Sequence, residues 1–374
     1  MLFIKFLYSS ISQKQIILRI NVEVDVMKVN YVEVRCRKAL DRVDIIGTRL
    51  WTRHCFDPYI NCEFSCVYCD SGVKENGCRA ASNVYVKSNA ANVLEKELRS
   101  LKMRGVVNLG AATDIYQPVE KKYCITRRIL FILQKYACPF ALGTKSDLIL
   151  RDLEIILDAS KKSWCCISVS ITTLDKYLAR LLEPYAPPPE RRLEVIKKLS
   201  ESGIMVGVWI TPIIPYITDS QENLSEVIET VVENGAKFIL GGALDARNIN
   251  RFRDFLIKNY PELVHKYNAL YYLKQKNVRY YPQDGYLFRL YKNFITICHR
   301  KNVKKYIPHF YQTKQAVLFY IRNFSRFEGS PFLEITQLIN YLSPSKELLQ
   351  NIRIRFYRSR IAEKFLDLFN YFPH

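Results

Sequence analysis

The chain has 374 residues, 49% hydrophobic and 25% charged, which excludes a disordered chain and leaves room for one large domain and an appendage. Its net charge of +20, from 56 Lys and Arg against 36 Asp and Glu, favours phosphate-rich partners over acidic ones. The opening "MLFIKFLYSSISQKQIILRI" has too short an apolar run to span a bilayer and no cleavage site behind it, and no later charge-free apolar stretch is long enough. A cytoplasmic protein without membrane contact is expected. Residues 1–47 carry no recognisable site and read as an N-terminal extension, within which Met27 is a second candidate start.

In chain order, an apolar run at about 56–61 predicts a strand that leads into "NCEFSCVYCDSG". Residues 89–102 have helical periodicity, and the run "GVVNLGA" (105–111) follows them. The same alternation continues with a helix over 126–136 and "FALGTKS" (140–146), then a helix over 151–161 and "CCISVSITT" (165–173). A helix over 190–203 precedes "IMVGVWITPII" (204–214), and one over 222–234 precedes "AKFILGGAL" (236–244). Six short Val- and Ile-rich runs separated by helices predict an α/β fold with a parallel sheet, either doubly wound or an incompletely closed barrel. In both, ligands lie beyond the carboxyl ends of the strands. Polar residues gather at those ends: Thr113 and Asp114, Thr144 to Ser146, Ser168 to Thr173, and residues 241–245. Ser168, Ser170 and Thr172 share one parity, so a strand there points them the same way.

The pattern changes after Ala246. Residues 251–270 read as helix interrupted by Pro261, residues 285–324 are aromatic and basic, and the remainder reads as two or three amphipathic helices. A mainly helical C-terminal region (247–374) is expected, either simply packed on the main domain (48–246) or offering a basic aromatic face to a polynucleotide.

Cys62, Cys66 and Cys69 fall within eight positions. A structural zinc site needs four ligands, and His54, Cys55 or Cys78 would have to complete it without forming a second Cys-x2-Cys knuckle. A redox pair of Cys66 and Cys69 leaves Cys62 unexplained. Iron–sulfur clusters take closely spaced loop cysteines, and three thiolates on a four-iron cluster leave one iron open for chemistry.

The spacing Cys62-x3-Cys66-x2-Cys69, with Tyr68 before the last cysteine, resembles the signature of the radical S-adenosylmethionine superfamily. With "VYVKSNAANVLEKEL", "AATDIYQPVEKKYCITRRIL", "GTKSDLILRDLEII" and the stretch from "VSITTLDKYLARLLEPYAPPPERR" to "GAKFILGGAL", the chain is similar over about 48–300 to the spore photoproduct lyase-like subgroup, whose members are often labelled DNA repair photolyases. The resemblance implies a partial (β/α)6 barrel of TIM type and a [4Fe-4S] cluster on Cys62, Cys66 and Cys69. It implies S-adenosylmethionine on the fourth iron, cleaved by one electron from a reductant such as ferredoxin or flavodoxin. The resulting 5′-deoxyadenosyl radical abstracts a substrate hydrogen. Tyr68 is expected near the adenine, and Gly110, Thr113 and Asp114 near the methionine amino group. Lys145 is expected to take the methionine carboxylate or a substrate phosphate, or else to pair with Asp147 or Asp152; Ser168, Ser170 and Thr172 suit a ribose.

Gln117 and Glu120 are further candidates for the cavity, and Arg151 with Asp152 reads as a paired anchor. Glu183 opens a proline-rich rim loop that Arg191 and Arg192 would clamp, unless they meet a phosphate, and Asp219-Ser220 reads as a helix cap. A photoproduct lyase also needs a thiol that returns hydrogen to the substrate radical, and none of Cys124, Cys138, Cys165, Cys166 or Cys298 matches that context. Three classes remain: a radical enzyme acting on nucleic acid, a radical enzyme acting on a small molecule or protein, and a zinc module that binds nucleic acid.

Overall fold

The computed structural model describes residues 29–42, 54–69, 83–101, 106–245, 249–271 and 282–303. The helices expected towards residue 374, most of the basic aromatic stretch and Cys78 lie outside the described residues. Five strands come first: β1 (Asn30–Val34), β2 (Asp41–Arg42), β3 (His54–Phe56), β4 (Tyr59–Ile60) and β5 (Asn83–Lys87). Helix α1 (Ala90–Ser100) leads to β6 (Val107–Leu109), and α2 (Val119–Tyr123) with α3 (Ile125–Lys135) leads to β7 (Phe140–Thr144). Next come α4 (Leu153–Lys162), β8 (Cys165–Ser170), α5 (Lys176–Leu182), α6 (Pro189–Glu201), β9 (Val206–Ile213), α7 (Gln221–Glu233) and β10 (Ile239–Ala243). Helices α8 (Ile249–Asn259), α9 (Val264–Tyr271) and α10 (Asp284–Arg300) follow. No helix among the described residues is long and apolar enough to cross a membrane.

The main sheet has the order β10-β9-β8-β7-β6-β3-β2. From β3 to β10 every pairing is parallel and in chain order, and β2 is an antiparallel edge. Sequential parallel neighbours need crossovers, and the right-handed rule puts the crossover helices on one face and leaves the opposite face to curl inward. That inner face is filled by Val106, Ala141, Cys166, Phe238 and Leu240, against which Met205 and Trp209 pack. Among the described residues β10 and β2 do not pair, so the sheet is open.

The first strand differs from the expected 56–61. Pro58 has no N–H to donate to a ladder, so β3 ends at Phe56. Tyr59 and Ile60 turn away to pair antiparallel with β5, which also pairs parallel with β1 in a separate three-stranded sheet. The cysteine loop therefore leaves from β4, beside the main sheet. Elsewhere the expected strands and helices stand within a few residues of their predicted positions, and Ser220 caps α7 by accepting from Asn223 N at 3.1 Å. The C-terminal helices are fixed to the ends of β9 and β10. Tyr267 Oη donates to Pro215 O (2.5 Å), Tyr271 Oη to Leu244 O (3.0 Å), and Ala243 N to Tyr291 Oη (3.2 Å).

Candidate active site at the strand ends

A cleft opens at the carboxyl ends of the parallel strands. Cys62, Cys66 and Cys69 line one side of it, together with Phe64 and Tyr68. The loop that carries them turns through left-handed backbone at Asn61 (φ 69°) and Ser65 (φ 50°), an unfavourable conformation that the surroundings must fix. Gln117 does so from one side, accepting from Glu63 N (2.9 Å) and donating to Asn61 O (3.0 Å). Val67 N donates to Leu182 O (2.9 Å), and Arg251 Nη2 reaches from α8 to Ser65 O (2.7 Å).

A buried charge network holds the end of this loop. Glu183 and Arg192 are 1% and 2% exposed and form an ion pair, and Tyr68 Oη donates to the same carboxylate. Arg192 also donates to Pro187 O (2.7 Å) and Ser170 O (2.9 Å), so it ties the proline-rich loop to β8. Burial would raise the Glu183 carboxyl, but Arg192, Lys145 and Tyr68 outweigh it and hold the group below its usual range. Lys145 lies over the Tyr68 ring, 5.8 Å from its centroid, and lines the cleft without an ion pair among the described residues. Burial pushes the Cys66 thiol up to about 12, against the lowering effect of Lys145, and raises Cys62 as well. Thiolates in this loop therefore require a cationic partner.

The opposite side of the cleft is built where β6 and β7 end. Gly110 has φ +81°, and a Cβ on it would stand 2.5 Å from Gly143 O, so only glycine fits. Gly110→Ala is expected to lower the unfolding midpoint and the cluster loading together, and iron content plotted against urea midpoint checks this. Asp114 accepts from Tyr116 N (2.9 Å), Thr144 Oγ1 (2.8 Å) and Lys145 N (2.7 Å), which bridges the two strand ends. Asp57, just past β3, accepts from Ala112 N (3.1 Å) and Thr113 N (3.4 Å).

Burial raises the Asp57 carboxyl from 3.8 to about 6, although these hydrogen bonds oppose the shift. Between those values the folded chain binds more protons than the unfolded one, so this group makes stability fall as pH rises through that window. Asp57→Asn is expected to remove that downward component of the pH dependence. Urea denaturation of both proteins across the window measures the difference.

Among the residues predicted from sequence, Tyr68, Gly110, Thr113, Asp114, Lys145 and Ser170 line one cleft with the three cysteines. Ser168 and Thr172 are buried but are not among its lining residues. Ser168 shares the inner face with its register partners Gly143 and Gly207, one layer beneath Ser170. Glu120, Arg151 and Asp152 form a separate buried network with Tyr59, Tyr116 and Arg127. Asp147 is taken by Arg191. Trp209, Thr211 and Pro212 line the cleft and were not picked out as site residues from the sequence, whereas Asp245, from the strand-end group 241–245, lines it as that grouping suggested. The available signal was register: Trp209 lies opposite Ser170.

A three-cysteine loop at the carboxyl end of a sequentially ordered parallel sheet defines a class of enzymes, and the comparisons agree. Residues 57–229 match the model of the radical SAM (S-adenosylmethionine) superfamily. An uncharacterized protein of Mycobacterium tuberculosis is 31% identical over 252 residues, 65% of this chain and 74% of that one. Another, of Methanocaldococcus jannaschii, is 27% identical over 238 residues, 63% of this chain and 85% of that one. Among solved structures, a spore photoproduct lyase mutant with bound AdoMet and dinucleoside spore photoproduct superposes with TM-score 0.55 at 13% identity, covering 72% of this chain and 78% of that one. That last likeness is one of fold. The chain belongs to the radical SAM superfamily.

Proposed function

We propose that this radical SAM enzyme holds a [4Fe-4S] cluster on Cys62, Cys66 and Cys69 with S-adenosylmethionine on the remaining iron, and that it acts on a nucleic acid. The observation that carries the reading is the cleft itself, which gathers three thiols and the Lys145 ammonium, without an ion pair among the described residues, at the strand ends. The donor set suits the cluster. A zinc ion needs its donors to converge on one point, whereas a four-iron cluster takes each thiolate on a different iron. When bound, the cluster and S-adenosylmethionine supply hydrogen-atom abstraction from an unactivated carbon.

The chain's own residues hold and orient. Lys145 receives the methionine carboxylate in a charge-assisted contact, and Tyr68, locked by Glu183, backs the cofactor near the adenine. Gly110 admits close approach of the strand end, and Thr113 and Asp114 fix that end near the amino group. Ser170 would face the ribose, with Ser168 one layer beneath it on the inner face; Thr172, also proposed for the ribose, is buried just beyond the strand end. The six parallel strands of the open sheet are read as a partial TIM-type barrel over 48–246, with 247–374 as its helical extension. A small one-electron carrier such as ferredoxin or flavodoxin supplies the reducing electron. Among the described residues no cysteine besides the trio lines the cleft, so the reading extends to hydrogen abstraction and not to a thiol-dependent lyase step.

The net charge of +20 supports a nucleic acid over an acidic protein as substrate. The test is an anaerobic preparation, reduced in the presence of S-adenosylmethionine and deuterated oligonucleotides. A brown protein that transfers deuterium into 5′-deoxyadenosine is expected. A colourless, zinc-loaded protein overturns the cluster, and a brown protein that takes deuterium only from non-nucleic substrates overturns the substrate class.

A further inference from the structure

A second pocket lies beside the cleft, between the loop after β9 and helices α9 and α10. It is lined by Tyr216, His265, Lys266, Gln283, Tyr286 and Arg289. His265, Lys266 and Arg289 bring basic side chains to one small concavity and have no carboxylate partner among the described residues. The nearby acid, Asp219, is occupied by Tyr286 Oη at 2.6 Å. Grouped cations without a counter-charge repel one another, and a bound anion removes that repulsion.

The pocket also presents an aromatic surface. Tyr216 is 44% exposed in a core otherwise rich in buried tyrosines, and Lys266 Nζ lies 5.5 Å from its ring centroid. Its orientation is fixed by an edge contact with Tyr267 (6.0 Å) and a tilted contact with Tyr286 (6.2 Å). A ring held in place with one face partly open suits a stacking base, and the adjacent cations suit the phosphate that follows it.

We propose that this pocket is a nucleotide subsite for a single strand that also enters the cleft: Lys266 and Arg289 take a backbone phosphate, and Tyr216 takes a base. Pro212 lines the cleft and Tyr216 lines the pocket, four residues along the chain. The backbone spans at most about 14 Å over that interval. At about 3.4 Å per stacked nucleotide, the subsite serves a nucleotide within about four of the reacting one. The proposal rests on the nucleic-acid reading above, and it adds where the strand is gripped.

Anisotropy of a fluorescent single-stranded 12-mer, titrated with the full reconstituted chain over a salt series, tests it. Lys266→Ala/Arg289→Ala is expected to weaken binding about tenfold and to reduce the salt slope by about 0.7, the value for one phosphate on a single strand. Tyr216→Ala is expected to weaken binding at least about fivefold with the salt slope unchanged. All variants should keep the parent's urea midpoint and its substrate-free formation of 5′-deoxyadenosine. Wild-type affinity and slope in the variants would overturn the subsite while leaving the nucleic-acid reading standing. Absence of 12-mer binding by the parent would overturn both. Tight binding of AMP or inorganic phosphate without the 12-mer would replace the strand by a small anion and overturn the assignment.

Discussion

Cys66→Ala is expected to give a protein that stays colourless after anaerobic reconstitution and releases no detectable 5′-deoxyadenosine. Outer-sphere changes at metal sites cost about 10–100-fold, so loss of a direct ligand is expected to exceed that range. Cys66 is the most buried of the three thiols and lies between two anchors of the loop, the Ser65 carbonyl held by Arg251 and the Val67 amide held by Leu182. These contacts use backbone atoms, so the alanine variant keeps them and should fold. Cys124→Ala provides the control. Its sulfur accepts from Arg151 Nη1 at 3.7 Å, away from the cleft, and that variant is expected to remain brown and active. A brown Cys66→Ala protein with an intact visible spectrum would remove Cys66 from the ligand set. Equal loss of colour in the Cys124 variant would point to general instability.

Glu183→Ala is expected to cost about 3–5 kcal/mol of stability, because it leaves the Arg192 guanidinium buried without its counter-ion. The same change removes the acceptor of Tyr68, so cofactor binding should weaken beyond what the lost stability explains. Adding Arg192→Met to Glu183→Ala removes the stranded charge and is expected to recover part of the stability but not the anchoring of Tyr68. Urea denaturation of the parent, the Glu183→Ala and Arg192→Met single variants and the double variant gives the coupling energy, and isothermal titration of S-adenosylmethionine into the reconstituted proteins gives the second effect. The pH dependence has a definite sign. The Glu183 carboxyl is held below its unfolded value of 4.5, so the stabilisation is complete above that pH and is lost as pH falls through the lower, folded value. Stability of the Glu183→Ala protein should lack that acid-side loss. A change under about 1 kcal/mol would place the pair in the class of exposed salt bridges and contradict its burial.

Two kinds of information were legible in the chain. The alternation of short apolar runs with helical segments predicts a largely parallel sheet, because period and length are local properties of the sequence, whereas the sequential order of its strands is seen only in the structure. Parity within a strand is equally local, which is why Ser168 and Ser170 were placed on one face before any pairing was known. The spacing of Cys62, Cys66 and Cys69, with its surroundings, identified the superfamily.

The partners of the charged groups were not legible. Sequence proximity offered Asp147 and Asp152 to Lys145, but Arg191 takes the first, Arg127 and Arg151 take the second, and Lys145 is left facing the cleft. The detour of β4 into a second sheet follows from a proline that ends one ladder and from a distant strand, β5, that accepts the chain afterwards. Trp209, Pro212 and Asp245 reach the cysteine loop only because the sheet curls and brings its far strands round to the first. By itself the sequence determined that short strands alternate with helices over most of the chain, and where a cluster would be anchored. Only the tertiary structure decided which charges neutralise one another and which remain for a ligand, because Coulomb energies depend on distances between groups that the chain order leaves free.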